Sequence, residues 1–323
     1  MRIAIVGAGA IGGWLGVRLS EAGNEVKAFA RGATLEAIRR GGLRLTENDK
    51  TRVVKLSASD DAAVLGSQEL VVIAVKGPSL AQVAPHVARM LAADTVVLPA
   101  MNGVPWWFAQ GLGGPLGGAA LQSVDSDGSI AENIPWPRVI GCVVHASCYV
   151  AEPARIVHTN GNRLIVGEPS GASTERLQAV HETLKRAGLD ANVSSRIQQD
   201  AWYKLWGNMT MNPISALTGA MTDRILDDPL VNRFVLGVMA EASEIGRRIG
   251  CAIPESGEDR MKVTRRLGPI KTSMLQDAEA GRPLEIDALL AAPREIATKV
   301  GVPTPNMDAL HGLIRVYAAA HAK

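Results

Sequence analysis

The fold of this chain is decided by its first stretch, Arg2–Gly12, which reads RIAIVGAGAIG. The opening residues are mostly apolar, as in a buried strand, and a helical pattern through Ile11, Leu15 and Leu19 follows the glycine-rich turn. A second strand pattern covers residues 25–30. Strand, GxGxxG turn, helix and strand in this order predict a Rossmann domain, whose turn and helix N-terminus bind the pyrophosphate of a dinucleotide. The predicted phosphate-binding residues are Gly7, Ala8, Gly9, Ala10, Ile11 and Gly12.

The residue at the end of the second strand predicts which dinucleotide is bound. A site selective for NAD usually has an acidic residue there, which accepts a hydrogen bond from the ribose 2′-hydroxyl. This chain has Arg31 instead, and the nearby acid Glu36 lies inside the next helical pattern. Because a guanidinium pairs well with a phosphate group, we predict NADPH as the cofactor. The alternative is that Arg31 is an ordinary surface residue.

Two later strand patterns place polar residues at the same edge of the predicted sheet. Leu70–Val75 is fully apolar, which is typical of a central parallel strand, and Lys76 follows it directly. A further strand pattern at Thr95–Leu98 leads to Asn102. Ligands of open α/β sheets bind beyond the carboxyl ends of the strands, so Lys76 and Asn102 are candidate ligand contacts. The pair Asn102-Gly103 is equally typical of a plain turn.

From residue 195 onward the pattern changes to helices with few strand signals. We therefore predict two domains, an α/β domain at 1–194 that is doubly wound around a mostly parallel sheet, and an all-α domain at 195–323. Helices are predicted at 196–217, 229–250, 257–280, 285–300 and 306–321. Pro213 and Pro293 are expected to kink or split the first and the fourth of them.

The first of these helices carries a stripe of three polar residues. Lys204, Asn208 and Asn212 stand one turn apart on one face. The residues that can bury the rest of this helix are Trp202, Leu205, Trp206 and Met209. Two amides can position an oxygen-rich ligand, and a lysine partly removed from water can have a lowered pKa and transfer a proton. The alternative is a solvated polar face, in which Lys204 pairs with Asp200 one turn earlier.

The composition excludes several classes of function. The chain has 323 residues, of which 47% are hydrophobic and 20% charged, enough for about two folded domains. A net charge of +2 without a long basic run gives no signal for nucleic acid or a membrane surface. The uncharged segment 95–124 contains three prolines and six glycines, which a membrane-spanning helix tolerates poorly. Three cysteines without CxxC spacing and six scattered histidines favour a soluble cytoplasmic protein with no metal site.

Several motifs, in order over nearly the whole chain, resemble the ketopantoate reductase (2-dehydropantoate 2-reductase) family. Besides the glycine-rich turn, Arg31, Lys76 and the MNG tripeptide at 101–103, they lie in the helical half. Residues 202–217 read WYKLWGNMTMNPISAL and supply the pattern K-L-x-x-N-x-x-x-N-P. The sequence SMLQD at 273–277 precedes EID at 285–287, and GVPTP stands at 301–305. The lysine, asparagine and SMLQD patterns are the specific part, because the glycine motif alone fits many families.

The resemblance implies a Rossmann domain and a helical domain like that of 6-phosphogluconate dehydrogenases, with the active site between them. It implies that NADPH delivers hydride to the ketone carbon of an α-keto acid, most closely 2-dehydropantoate, which becomes pantoate. By position, Lys204 resembles the general acid, and Glu285 resembles a second catalytic residue that bonds the cofactor or a substrate hydroxyl. The implied substrate ligands are Asn102, Asn208, Asn212 and Ser273. The implied cofactor contacts are the glycine-rich turn, Arg31, Lys76, Asn102 and Glu285.

Some residues also have structural explanations or depart from the family pattern. Ser273 is equally suited to cap its helix, and Glu285 to be a first-turn acid. Family members often have Asn-Gly shortly after the Asn-Pro-Ile segment, where this chain has 218–223, so Thr222 is a candidate for the missing substrate contact. The aromatic run Trp106–Phe108, with Trp107 at its centre, either walls the active site or anchors a loop to the core.

These departures leave three functions open. The substrate is ketopantoate or a bulkier, more apolar keto acid. A second possibility is another 2-oxo or β-hydroxyacid oxidoreductase of the 6-phosphogluconate dehydrogenase type, although the SMLQD and EID segments fit it less well. A third is a sensor that binds NADPH without turnover, which has no need of a proton donor such as Lys204. The sequence is compatible with a monomer or a homodimer.

Overall fold

The computed structural model describes residues 1–266 and 268–321 and divides into two compact units. The first unit comprises Met1–Met101 and Gly128–Ile197, and the second Asn102–Asp127 and Gln198–Lys323. Every strand among the described residues belongs to the first unit, and the second is helical. The predicted fold class, a parallel α/β domain followed by an all-α domain, is confirmed.

The two units differ from the predicted domains at 1–194 and 195–323 in segment 102–127 and in residues 195–197, which belong to the first unit. Residues 102–127 belong to the helical unit, although they precede the last strands of the α/β unit. The reason is hydrophobic packing, since Val104, Phe108 and Leu116 are part of the helical unit's core. The last two residues of the predicted second domain, Ala322 and Lys323, lie outside the described residues.

The first unit contains a five-stranded parallel sheet and a second, mixed sheet. In chain order its elements are β1 (Arg2–Val6), α1 (Ala10–Glu21), β2 (Glu25–Phe29), α2 (Gly32–Gly41), β3 (Leu43–Glu47), β4 (Lys50–Val54), β5 (Ser57–Ser59), α3 (Ala62–Leu65), β6 (Gln68–Ile73), α4 (Leu80–Ala88), β7 (Leu91–Pro99), α5 (Ser129–Asn133), β8 (Gly141–Glu152), β9 (Arg155–Gly167), α6 (Glu175–Arg186) and β10 (Asp190–Val193). Single 3₁₀ turns occur at Gly77–Ser79 and Trp136–Arg138.

The parallel sheet has the strand order β5-β2-β1-β6-β7. Its central strands are apolar and buried because both faces are covered, as in other parallel sheets. Val6 is in register with Phe29 on one side and Ile73 on the other, so β1, β2 and β6 end at the same edge. That edge is where an open α/β sheet binds its ligands.

The second sheet has the order β10-β9-β3-β4, with β8 paired to β9. It mixes parallel pairs, such as β3 with β9, and antiparallel pairs, such as β8 with β9. Helix α1 packs against strands of both sheets. Its Trp14 is fully buried, and the indole stacks on His158 of β9 at 5.4 Å between ring centroids. This helix therefore joins the two sheets into one hydrophobic core.

The second unit consists of seven α-helices among the described residues. They are α7 (Ile197–Thr218), α8 (Thr222–Asp227), α9 (Pro229–Arg248), α10 (Gly257–Arg266), α11 (Ser273–Glu279), α12 (Ala292–Lys299) and α13 (Pro305–Ala320). A π-helical turn at Asp287–Ala291 leads directly into α12, and a 3₁₀ turn lies at Gly114–Leu116. No helix of the described chain combines the length and the apolar character needed to cross a bilayer.

The helical unit differs from the sequence-based prediction at Pro213, at Pro293 and at residues 257–280. Helix α7 continues through Pro213, so this proline does not split the helix. Pro293 instead lies in the first turn of α12, where the missing N–H is tolerated. The predicted helix at 257–280 is two helices, α10 and α11, and Leu267 within it lies outside the described residues.

An ion pair in the first unit predicts how its stability depends on pH. Glu168 is 2% exposed, and its carboxylate accepts hydrogen bonds from Arg176 Nε and Nη2 at 2.8 and 2.6 Å. Burial by itself raises the pKa of Glu168, but the hydrogen bonds from Arg176 and Thr174 and the Arg176 charge lower it overall. A carboxyl whose pKa is lower in the folded state stabilises the fold above its unfolded pKa, and the contribution disappears as the pH falls through the folded value.

We expect Arg176→Met to lower the free energy of unfolding by about 1–3 kcal/mol at neutral pH, because it leaves a buried carboxylate without its cation. The difference from the parent protein should shrink in acid, where Glu168 is protonated in both proteins. Urea unfolding at neutral and acidic pH measures both effects. Arg163→Met is the matched control, because its ion pair with Asp190 is exposed on both sides. Equal losses for the two variants at neutral pH would contradict the assignment.

Candidate active site

The first part of the site lies at the carboxyl edge of the parallel sheet. Gly7 N–H donates to the Phe29 carbonyl at 3.1 Å, and Ala74 N–H donates to the Val6 carbonyl at 2.9 Å. The turn after β1 is therefore held between the ends of β2 and β6. Arg31 follows β2 and Lys76 follows β6, so the structure brings both of these predicted residues to the edge that holds the glycine-rich turn.

The glycine-rich turn has the shape that a dinucleotide phosphate requires. A Cβ on Gly12 would lie 2.0 Å from the Gly7 carbonyl oxygen, so only glycine allows this close approach of helix and strand. A Cβ on Gly9 would meet nothing within 4 Å and would project into open space in front of the turn. Gly9 is the N-cap of α1, where no described side chain caps the helix and the first turn contains no acidic residue. The first N–H groups of α1 can therefore face an anion, and the turn fits a pyrophosphate.

Arg31 lies at the junction of β2 and α2. Its backbone is extended, and it forms the N-cap of α2. The guanidinium carbon stands 5.3 Å from the centroid of the Phe29 ring, which is a favourable cation–π distance. This contact orients the exposed guanidinium at the strand end where the ribose of a bound dinucleotide is recognised.

The second part of the site lies in the helical unit, on the polar face of α7. Because α7 is continuous, Lys204, Asn208 and Asn212 stand on one face as predicted. The opposite face is buried in the core, which confirms the prediction for Trp202, Leu205, Trp206 and Met209. Lys204 Nζ donates a hydrogen bond of 2.8 Å to Asn102 Oδ1. The structure thus joins two predicted site residues that are far apart in sequence.

The segment that carries Asn102 is fixed by the π-helical turn. Gly103 has φ +80, and a Cβ there would lie 2.5 Å from the Ala288 Cβ, so glycine is required for both conformation and space. Val104 N–H donates to the Ala288 carbonyl at 2.8 Å. Glu285, which is 6% exposed, lies just before this turn, and its carbonyl accepts from Leu289 N–H at 3.3 Å. Lys204, Asn102 and the chain after Glu285 are therefore connected through direct contacts.

Ala288 is a site residue that the sequence-based reasoning missed. It supplies the surface against which the turn after Asn102 packs, through both its methyl group and its carbonyl oxygen. No motif marks an alanine for this role. Its position depends on the π-helical geometry, and single π turns occur frequently at functional sites.

The other predicted residues of the helical unit have different surroundings. Asn212 is buried and Asn208 is partly buried. Ser273 is exposed in the first turn of α11, and it does not cap this helix, because the Thr272 hydroxyl accepts from Leu275 N–H at 3.2 Å. The Thr222 hydroxyl donates to the Gly268 carbonyl at 3.2 Å and accepts from Ile270 N–H at 3.0 Å. Thr222 is 3% exposed and holds the chain around Ile270 through these two bonds, which give it a structural role.

The aromatic run anchors its loop to the core. Trp106, Trp107 and Phe108 are 5%, 2% and 1% exposed. The Phe108 ring packs against Trp202 of α7 at 5.9 Å between centroids. Of the two roles considered for this run, the structure supports anchoring.

These two parts can perform distinct chemical tasks. The strand edge offers helix N–H groups and cations to a phosphorylated ligand. The α7 face offers an ammonium group fixed by an amide, which can stabilise a developing oxyanion and donate a proton. A glycine-rich turn on a parallel sheet, followed by a helical unit with an oriented lysine, is the arrangement expected of an oxidoreductase of the two-domain α/β class.

Comparison with known proteins identifies the family within this class. The family model described as Ketopantoate reductase PanE/ApbA matches residues 3–171, and its counterpart, Ketopantoate reductase PanE/ApbA C terminal, matches residues 196–318. The chain belongs to the ketopantoate reductase family, and the resemblance seen in the sequence is confirmed.

Individual relatives agree with this assignment. A 2-dehydropantoate 2-reductase of Mesorhizobium japonicum is 44% identical over 98% of this chain and 97% of its own length. A crystal structure from Ralstonia solanacearum MolK2, assigned as a ketopantoate reductase, has a TM-score of 0.95 and 55% identity, covering 99% and 98% of the two chains. A D-mandelate dehydrogenase bound to NADH and anilino(oxo)acetate shares the fold, with a TM-score of 0.85, 20% identity and 99% coverage of both chains.

Proposed function

We propose that this enzyme uses NADPH to reduce an α-keto acid, 2-dehydropantoate, to the 2-hydroxy acid, with Lys204 as the proton donor. The observation that carries this proposal is the 2.8 Å hydrogen bond from Lys204 Nζ to Asn102 Oδ1. It orients an ammonium group on a helix face that also carries two amides, Asn208 and Asn212. The M. japonicum relative, named 2-dehydropantoate 2-reductase, supports the choice of substrate.

The proton transfer follows from the geometry of Lys204. Bound NADPH supplies the hydride that the ketone carbon accepts. The carbonyl oxygen then develops negative charge, which the ammonium offsets before giving up a proton and becoming a neutral amine. The hydrogen bond from one Nζ–H to Asn102 orients the ammonium, which has three N–H donors in all and can present one of them to a substrate oxygen. Solvent returns the proton after the hydroxy acid leaves.

The remaining polar residues bind and orient the keto acid in this proposal. The amides of Asn208 and Asn212 bond substrate oxygens, and the exposed hydroxyl of Ser273 bonds the carboxylate. Since Asn102 Oδ1 accepts from Lys204, its Nδ2 group donates to the substrate or to the carboxamide of the nicotinamide. The buried Glu285 bonds a substrate hydroxyl or the cofactor, and it serves as the second catalytic residue. Correct orientation of the reacting atoms contributes strongly to the rate.

The α/β domain, predicted at 1–194, binds the cofactor in this proposal. Gly7–Gly12 and the N-terminus of α1 hold the pyrophosphate, and Arg31 and Lys76 hold the adenosine end. The helical domain, predicted at 195–323, supplies the catalytic lysine. Cys142, Cys148 and Cys251 form no disulfide within the described part of the chain, which supports a cytoplasmic location. We propose a monomer or a homodimer.

We expect Arg31→Ala to weaken NADPH binding by about tenfold to a hundredfold, because hydrogen bonds to charged groups contribute about 1.5–3 kcal/mol. NADH binding should change little, since NADH has no 2′-phosphate. Fluorescence titration with each cofactor measures the two dissociation constants. Arg39→Ala is the matched control, because Arg39 lies on α2 and pairs with Glu36 at an exposed position. A parent protein that binds NADH as tightly as NADPH would contradict the role given to Arg31.

The function is tested by following the absorbance of NADPH with ketopantoate and a panel of 2-oxo acids of increasing side-chain size. We expect turnover with ketopantoate, and far slower turnover with Lys204→Ala under the same conditions. Lys262→Ala is the control, because Lys262 is exposed and pairs with Asp259 on α10. Preference for a bulkier acid would reassign the substrate to another 2-oxo acid. Binding of NADPH without turnover of any acid would favour a sensor and contradict the proposal.

A further inference from the structure

The aromatic ring at the end of β2 has two basic side chains against it. The Arg31 guanidinium stands 5.3 Å from the centroid of Phe29, and the His86 ring on α4 stands 4.8 Å from the same centroid. Phe29 is 2% exposed, so it forms a buried support on which both groups rest. His86 is therefore next to the place where the ribose 2′ position of a bound dinucleotide is read.

His86 is not held by an ordinary structural hydrogen bond at its buried nitrogen. The Nδ1 atom is buried and has no hydrogen-bond partner among the described residues, while the ring as a whole is partly exposed. Buried ring nitrogens usually have partners, and an exception requires an explanation. If His86 had only a packing role, a hydrogen-bond partner for its buried Nδ1 would make the folded protein more stable.

The charges that face His86 are mostly positive. Burial, followed by the charges of Arg31 and Arg89, lowers the pKa of His86, and the charge of Asp61 opposes this shift. Arg31 follows β2, Arg89 follows α4 and Asp61 is the N-cap of α3, so the charges come from three neighbouring elements. Burial and these positive charges together favour the neutral form of His86 in the free protein.

We propose that His86 completes, together with Arg31, the pocket for the adenosine 2′-phosphate of NADPH, and that His86 takes up a proton when this phosphate binds. This inference rests on the proposed use of NADPH. A phosphate monoester carries nearly two negative charges at neutral pH. It offsets the guanidinium charges that keep the proton away, and the proton that His86 gains comes from solvent. By linkage, protonation of His86 strengthens binding by the same factor.

The direction of the pH effect follows from this linkage. A group whose pKa rises on binding contributes affinity that is fully present below its free pKa and is lost as the pH rises through its bound value. The contribution of His86 to binding of NADP⁺ should therefore be large in mild acid and absent in mild alkali. NAD⁺ lacks the 2′-phosphate, so its affinity should show no such contribution.

The decisive experiment is an NMR titration of histidine ring signals in the full-length protein, alone and with NADP⁺ or NAD⁺. His86→Gln assigns the signal, and His181→Gln, which changes a partly buried histidine on α6, is the matched control. We expect NADP⁺ to raise the pKa of His86 by about one unit, which corresponds to a tenfold change in affinity, and NAD⁺ to leave it unchanged.

Binding measurements on the variants complete the test. We expect His86→Gln to bind NADP⁺ about tenfold more weakly than the parent at about pH 5.5 and equally at about pH 8.5. Protonation of the phosphate itself changes the NADP⁺ affinity of both proteins equally. The ratio of the two dissociation constants at each pH therefore reports the contribution of His86 alone. His86→Gln should leave NAD⁺ binding unchanged, which also shows that the variant is folded.

Two results would overturn this inference in different ways. If NADP⁺ binds tightly and Arg31→Ala weakens it, but the pKa of His86 is the same with either dinucleotide, the role of His86 is wrong and the NADPH proposal stands. If NADP⁺ binds no better than NAD⁺ and Arg31→Ala changes neither, the choice of NADPH fails and the pocket fails with it.

Discussion

Lys204→Ala is expected to lower kcat for keto-acid reduction by about 10²- to 10⁴-fold, which is the usual contribution of a general acid. The forming alkoxide would lose both the nearby positive charge and its proton source. The dissociation constant of NADPH should change little, because Gly7–Gly12, Arg31 and Lys76, which are assigned to its phosphates, belong to the other unit and are not altered. Steady-state kinetics and cofactor titration of the same preparation measure the two effects.

The partner of Lys204 offers a finer version of this prediction. Asn102→Ala keeps the ammonium but removes its 2.8 Å hydrogen bond, so it should cost less rate than loss of the lysine. Lys262→Ala should leave kcat unchanged. A Lys204→Ala variant with the parent's kcat would show that another group donates the proton.

Trp202→Ala is expected to lower the free energy of unfolding of the helical unit by about 3–5 kcal/mol, the usual cost of truncating a buried Trp. Its indole is 0% exposed, and Nε1 donates to the Ala242 carbonyl of α9 at 3.1 Å. A Cβ on Gly246 would lie 2.6 Å from the same Nε1, so α9 approaches the ring closely. Removal of the ring would leave a cavity between α7, α9 and Phe108.

Urea unfolding followed by circular dichroism measures this loss of stability. Trp136→Ala is the matched control, because the Trp136 ring is 40% exposed and its truncation should cost much less. Similar losses for the two variants would contradict the central position of Trp202. Because α7 carries Lys204 on its opposite face, a destabilised core should also reduce activity at elevated temperature.

The elements that were predicted correctly are those whose conformation depends on residues close to one another in the sequence. The turn at Gly7–Gly12 requires glycine within a short segment, and the apolar period of α7 depends on neighbouring turns alone. Arg31 and Lys76 were predicted from their positions after strands, and parallel pairing of β1 with β2 and β6 brings them to one edge. For such elements the spacing in the chain largely determines the arrangement in space.

The elements that were not predicted depend on contacts between distant segments. Strands β3 and β4 alternate polar and apolar residues only briefly, and β3 is placed by its pairing with β9, more than a hundred positions later. Segment 102–127 belongs to the helical unit because the Phe108 ring packs against Trp202 of α7. The π-helical turn and the contact of Ala288 with Gly103 likewise need the folded helices around them.

Pro213 and Thr222 show two further limits of local reasoning. A proline within a helix usually breaks it, but α7 continues because packing on its apolar face holds both sides. The Thr222 hydroxyl was a candidate substrate contact because it stands where relatives often have a polar residue. The spacing of residues in the sequence does not predict the two backbone hydrogen bonds that this hydroxyl forms near residue 270.

The most direct test of the proton-donor role is chemical rescue of Lys204→Ala by small primary amines added to the assay. If Lys204 supplies the proton, an alkylammonium ion that enters the vacated space should restore reduction of ketopantoate in a saturable manner. The restored rate should depend on the pKa of the added amine, as in general acid catalysis. Lys262→Ala should show no response to the same amines. Full activity of Lys204→Ala without any amine would contradict the account.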